Sequence, residues 1–133
     1  MRSPRDVLEL RRRHLIDRDF ESFAGLFAED GVIELPFAVN GLPARLEGRD
    51  AIRAFSLETS DRPVEIIDLH VVQLHETADP EVVIVELVTE ARDTTTGASF
   101  EAPCIQVFRI HNGEIKLFRD YISASAIPDL TRA

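Results

Sequence analysis

Asp120 is the residue best placed in this sequence for proton chemistry. It sits in Lys116-Leu117-Phe118-Arg119-Asp120-Tyr121-Ile122, where a two-residue period puts Lys116, Phe118, Asp120 and Ile122 on one face of a strand. With Phe118 and Asp120 turned into an apolar cavity, burial raises the carboxyl pKa and suits it to acid or base work near neutrality. The competing reading is a structural carboxylate at the rim, accepting hydrogen bonds from backbone or arginine. Gln106 shares its strand face with Cys104 and Phe108. Its amide could donate to a carbonyl oxygen as a weak, neutral oxyanion hole, or be a satisfied polar core group. His70 and Asp68 stand two apart on an expected face with Ile66 and Val72, a spacing for an acid-oriented histidine. The alternative for His70 is a pocket lip or a dimer face. His14, His75 and His111 lie on separate elements, so no metal site is expected.

The elements that must position these groups follow from periodicity. Ser3-Pro4 caps a first helix whose apolar residues Val7, Leu8, Leu10, Leu15 and Ile16 recur at helical spacing. Asp19 caps a second helix carrying Phe20, Phe23, Leu26 and Phe27. Glu29-Asp30-Gly31 reads as a turn, and residues 32–37 as a strand ending at Pro36. Asn40-Gly41-Leu42-Pro43 is loop chemistry at a hairpin tip. Gly48-Arg49-Asp50 opens a third helix with Ala51, Ile52, Ala54, Phe55 and Leu57 on its buried side.

From Pro63 the period falls to two. Strands are expected over 64–75, 82–91, 99–110 and 114–123, joined by turns, the last at Asn112-Gly113. The chain is thus a single α+β domain over residues 1–133, helix, helix, strand, helix, then a four-strand meander. Nearly every position of residues 82–89 is aliphatic, so neither face of that strand reads as solvated. Three helices cover one face; a second copy of the chain is the economical cover for the other.

Composition narrows the function classes. The formal charge of −9, from 24 acidic and 15 basic residues, disfavours nucleic acid and anionic membranes. No apolar run approaches the ~20 residues of a membrane helix. No secretory signal is recognisable at the N-terminus, and the single cysteine, Cys104, fits a reducing compartment and a small core residue, so a cytoplasmic protein is expected. Glycine-rich phosphate loops, Cys-x-x-Cys, Gly-x-Ser-x-Gly and His-Glu-x-x-His do not occur, leaving no support for a nucleotide cofactor, a zinc site or serine hydrolysis.

Three blocks carry a resemblance: Leu26-Phe27-Ala28-Glu29-Asp30-Gly31, Gly48-Arg49-Asp50-Ala51-Ile52, and Asn112-Gly113-Glu114-Ile115-Lys116 with Arg119-Asp120-Tyr121. In that order and spacing the chain resembles the SnoaL-like, nuclear transport factor two-like superfamily, which includes polyketide cyclases, ketosteroid isomerase and limonene epoxide hydrolase. The residues 76–80 and 112–120 look most similar to the phenazine-biosynthesis A/B proteins. The resemblance implies a cone: a strongly curved, mainly antiparallel sheet wrapped around three N-terminal helices, with an internal apolar pocket.

Carried over residue by residue, the family's catalytic sets survive poorly. The isomerase's general base falls on Leu35, ahead of Pro36, and its oxyanion pair on Arg11 and Gln106. The epoxide hydrolase's aspartate-arginine-aspartate set falls on Leu87, Thr89 and Asp120. The phenazine proteins' acid-base glutamate falls on Asp120 and their helix histidine on Phe55. Arg11 at the isomerase's tyrosine position could clamp a carboxylate, or belong to a solvated face with Arg12 and Arg13. Thr89 retains a hydroxyl for a ligand.

The expectation is a cofactor-independent acid-base enzyme, of isomerase, cyclase or hydratase type, acting on a small hydrophobic carbonyl compound. Asp120 is its catalytic residue, and Gln106, Thr89, His70, Arg11, Leu35, Phe55, Leu87, Phe108 and Phe118 form its binding surface. The alternative is a non-catalytic carrier using the same pocket. No cofactor, nucleic acid or membrane is expected; a homodimer through the convex sheet face is.

Overall fold

A computed structural model describes residues 1–38 and 42–122. The chain runs α1 (Pro4–Ile16), α2 (Phe20–Gly25), β1 (Phe27–Glu34), β2 (Arg45–Glu47), α3 (Arg49–Thr59), β3 (Val64–Glu76), β4 (Val82–Asp93), β5 (Ser99–His111) and β6 (Glu114–Ile122). One curved sheet results, ordered β2-β1-β6-β5-β4-β3. All neighbours are antiparallel except β1 and β6. The architecture is the expected α+β cone, with six strands rather than five. β2 was too short to show a period, and the expected hairpin tip before it lies partly outside the described residues, as does Ser123.

Local chemistry sets the helices. Ser3 Oγ accepts from the Asp6 N–H at 3.1 Å while Asp6 Oδ2 accepts from the Ser3 N–H at 3.0 Å, a reciprocal cap ahead of Pro4. The stripe that α1 buries is Val7, Leu8 and Arg11, three and four residues apart. α2 stops earlier than its aromatic spacing suggested: Phe27, fully buried, already belongs to β1. Glu29-Asp30-Gly31, expected as a turn, is an irregular part of β1, where the pairing with β6 slips between Phe27 and Val32. Gly31 is required there, because a Cβ would stand 2.8 Å from the Ile115 carbonyl oxygen.

Period two on the meander builds the core. Val83, Val85 and Leu87 of β4 and Ala102, Cys104, Gln106, Phe108 and Ile110 of β5 point to one buried face. Val7, Leu8, Phe23, Ala24 and Ile52 of the helices complete the same cluster. The opposite face keeps half-buried and exposed side chains such as Val72, Val88 and Ile105. Among the described residues no helix is long and apolar enough to cross a membrane.

Candidate active site

Asp120 enters the core from the last strand. β5 and β6 align Gln106 with Asp120 and Phe108 with Phe118, and β4 aligns Val85 with Gln106 and Leu87 with Cys104. Directly paired residues share a sheet face, so these side chains form one inner wall. Leu87, Phe108 and Phe118 are all buried there. Lys116 does not join them. The β5–β6 register shifts between Arg109 and Ile110, Ile115 is buried instead, and Lys116 pairs with Asp30 at 2.6 Å.

Arg11 reaches this wall from α1. It is only 2% exposed, its Nη1 donates to Gln106 Oε1, and its Cζ lies 5.1 Å from the Phe108 ring centroid and 6.0 Å from that of Phe118. Those two rings are themselves stacked at 4.5 Å. A guanidinium with its planar face on aromatic rings is held as a cation while largely stripped of water. Burial lowers its pKa to about 10, partly offset by the negative charge of Asp120, so it stays protonated at neutrality.

Burial acts on Asp120 in the opposite sense. It raises the carboxyl from its usual 3.8 to about 6, against a hydrogen bond from the Gln106 side chain and the positive charge of Arg11. Gln106 thus serves both charges, its carbonyl oxygen taken by Arg11 and its amide turned to Asp120. Among the described residues two buried side-chain atoms have no partner, Arg11 Nε and Asp120 Oδ1, both sealed from solvent. A buried donor and a buried acceptor left open in one site are the groups a ligand oxygen could satisfy. Neither neighbouring arginine neutralises Asp120. Arg109 pairs with Asp79 and Glu81, and Arg119 with Glu34.

The other expected site residues are divided. Thr89, half-buried, has its Oγ1 3.5 Å from Cys104 Sγ, and burial pushes that thiol up to about 11, removing it as a nucleophile at neutral pH. Phe55 is half-buried on α3; Leu35 is half-buried just beyond β1, where its N–H donates to the Ala44 carbonyl at 2.8 Å. His70 lies elsewhere. Irregularities in β3 after Ile66 and after Val71 break the simple alternation, and His70 stands exposed on the face opposite buried Leu69, 2.7 Å from Glu90. Asp68, expected to orient it, accepts from Arg12 Nε at 2.9 Å through Oδ1 and keeps its Oδ2 3.9 Å from His70 Nδ1. No set of three histidine, cysteine or acidic side chains among the described residues could hold a metal ion. What sequence reasoning underweighted is the depth of Arg11, readable from its place four residues after Val7 and three after Leu8.

The pattern of the SnoaL-like domain family matches residues 9–118, most of the chain. The chain belongs to the SnoaL-like family. An uncharacterized PhzA/B-like protein of Pseudomonas aeruginosa is 34% identical to this SnoaL-like chain over 118 residues, covering 88% of it and 82% of that protein. Among solved structures, a proposed isomerase of Bacillus subtilis superposes with a TM-score of 0.84 at 24% identity, over 94% of this chain and 89% of that one. An epoxide hydrolase of the limonene epoxide hydrolase-like type from M. tuberculosis follows it with 0.69 at 20% identity, over 95% and 87%. At such identities the two structures establish the shared fold.

Proposed function

We propose that this SnoaL-like domain is a cofactor-independent acid-base catalyst of isomerase, cyclase or hydratase type for a small hydrophobic carbonyl compound. The observation that carries this reading is the unpartnered Asp120 Oδ1 beside a buried cation. A carboxyl that ionises near pH 6 can take a proton from carbon or oxygen at neutrality and return it. The oxygen on which charge develops would be met by Arg11 and by the Gln106 amide, fixed donors in a site stripped of water. Asp120 thus moves the proton, while Arg11 and Gln106 hold the oxygen. The apolar surface of Leu87, Phe108 and Phe118 takes the hydrocarbon part.

The test follows α-proton exchange in D2O across a panel of small cyclic ketones, wild type against Asp120→Asn. The substitution is expected to lower exchange by about 10²–10⁴-fold; equal exchange in both proteins overturns the reading. A second reading, a carrier without turnover, is favoured by residue type: leucine at 35 and 87 and phenylalanine at 55 carry no proton, at positions where the family resemblance implies reacting groups. Ligand-induced thermal stabilisation that Asp120→Asn leaves intact, with no exchange in either protein, would select the carrier.

The outer sheet face supports a homodimer. Phe37, Val72 and Ile105 are 60%, 68% and 46% exposed, and together with Val88, Pro103 and Tyr121 they line an apolar depression of about 500 Å³. A second copy of the same face would remove that surface from water. Cytoplasmic residence is proposed on the lone buried cysteine.

A further inference from the structure

Two histidine–carboxylate pairs border the outer apolar depression. His75 Nε2 lies 2.6 Å from Glu86 Oε2, and His70 Nε2 lies 2.7 Å from Glu90 Oε1. The ladder sets both beside the apolar centre: Glu86 stands directly opposite Ile105, and His70 directly opposite Val88. Glu86, Val88 and Ile105 all line the depression. Neither pair belongs to the acid-base wall, which occupies the other face of the same strands.

The surrounding charges leave the histidines as the variable partners. Beside His70 stand Asp68 on its own strand, at 3.9 Å, Glu90 on β4, and Glu101, which lies opposite Glu90 on β5. Arg12 of α1 holds Asp68, and Arg92, next to Glu90 on that face, is bonded to Glu65. Farther along the sheet Arg109 pairs with Asp79 and Glu81, and Arg119 with Glu34. Among the described residues the ion pairs of Glu86 and Glu90 are to histidine alone. The hydrogen bond from Glu90, helped by the charges of Asp68 and Glu101, holds the His70 imidazole above its usual 6.5.

Histidine changes charge between about pH 5 and 8. With the imidazoles neutral, each pair carries a net negative charge; with them protonated, each is a closed ion pair. All four side chains still meet water in the single chain, so the difference is small there. A second copy seated on the depression removes that water, and an unneutralised carboxylate is the costlier group to desolvate. A two-fold axis also sets each acid against its own image, so an uncompensated charge is felt by both copies. We propose that docking of a second copy on this face is gated by His70 and His75, and that the faces close when both imidazoles are protonated. Association then takes up protons, so the dimer tightens as pH falls from 8 to 6 and loosens as it rises. The gating rests on the homodimer proposed above and gives that interface its control.

The experiment measures the dimer dissociation constant of the full chain by sedimentation velocity at pH 6 and pH 8, at one salt concentration. Wild type is expected to dimerise at least tenfold more tightly at pH 6. His70→Gln combined with His75→Gln is expected to hold the constant within twofold between the two pH values. Glu86→Gln combined with Glu90→Gln removes the charge instead, and is expected to dimerise at pH 8 as tightly as wild type does at pH 6. Asp120→Asn is expected to keep the pH dependence, since that carboxyl belongs to the inner wall. A wild-type dimer equally tight at both pH values, or tighter at pH 8, overturns the gating and leaves the dimer standing. A pH dependence that survives the histidine substitutions, or vanishes in Asp120→Asn, also overturns it by placing the titrating group elsewhere. A chain monomeric at both pH values removes the dimer and the gating together.

Discussion

Arg11 and Asp120 carry opposite charges in the same buried site but form no ion pair with each other. Arg11 donates to Gln106, Gln106 turns to Asp120, and Arg11 Nε and Asp120 Oδ1 are left open. A directly bonded pair would hold Asp120 ionised and spend the arginine. Separated by an amide, the carboxyl keeps a pKa near 6 and the guanidinium keeps a free donor, which is the arrangement proton transfer to or from a bound carbonyl compound needs.

Asp120→Asn is expected to make the protein less active and more stable, and the size of the gain depends on pH. The folded pKa, about 6, lies above the usual 3.8, so the folded state holds the proton more firmly. That contribution is fully present below pH 3.8 and is lost as pH rises through 6. At 1.36 kcal/mol per tenfold change the whole span corresponds to about 3 kcal/mol, and the remaining solvent contact of Asp120 trims it. Thermal melts are expected to show Asp120→Asn more stable by about 1–3 kcal/mol at pH 8 and level with wild type at pH 3.5. A variant no more stable at pH 8 than at pH 3.5 contradicts the burial of the charge.

Arg11→Gln removes the positive charge that restrains Asp120 and replaces the guanidinium donors with a shorter, neutral amide. The rising limb of the pH profile of kcat/KM is expected to move up by about one pH unit, with kcat/KM itself reduced at neutrality. A limb that stays near pH 6 means that Arg11 does not act on Asp120.

Cys104 is inert. Its thiol is raised to about 11 by burial, so iodoacetamide at pH 8 is expected to label the native protein far more slowly than the unfolded chain. Cys104→Ala is expected to cost about 1 kcal/mol or less of stability and to leave turnover unchanged. Rapid labelling with loss of activity would assign the thiol a role.

Ile105→Glu places a charge in the middle of the outer apolar depression. Light scattering after size exclusion is expected to give twice the 15.0 kDa chain mass for wild type and a single chain mass for the variant. A monomeric wild type rules out the dimer.

Much of this fold was legible from caps and periods, since these are short-range effects. The Ser3-Pro4 and Asp19 caps, the Gly48 start of α3 and the Asn112-Gly113 turn all stand where their chemistry placed them. The errors arose where the ladder slips. A strict period of two misassigned Lys116 and put Ile66 and Val72 on one face with Asp68 and His70, because the irregularities beside Ile110, Ile66 and Val71 leave no mark in residue type. Gln106 and Asp120 were visible as strand neighbours. Their joint dependence on Arg11 was not, because the bond spans 95 positions and an arginine among three reads as solvent-facing until its spacing from Val7 and Leu8 is weighed.

The most direct measurement is an NMR titration of the Asp120 side-chain carboxyl carbon in the wild-type protein, assigned by its absence in Asp120→Asn. The account predicts a midpoint near pH 6, rising further in Arg11→Gln. A midpoint near 3.8 that ignores Arg11 would contradict it, and with it the claim that this buried carboxyl is the proton carrier.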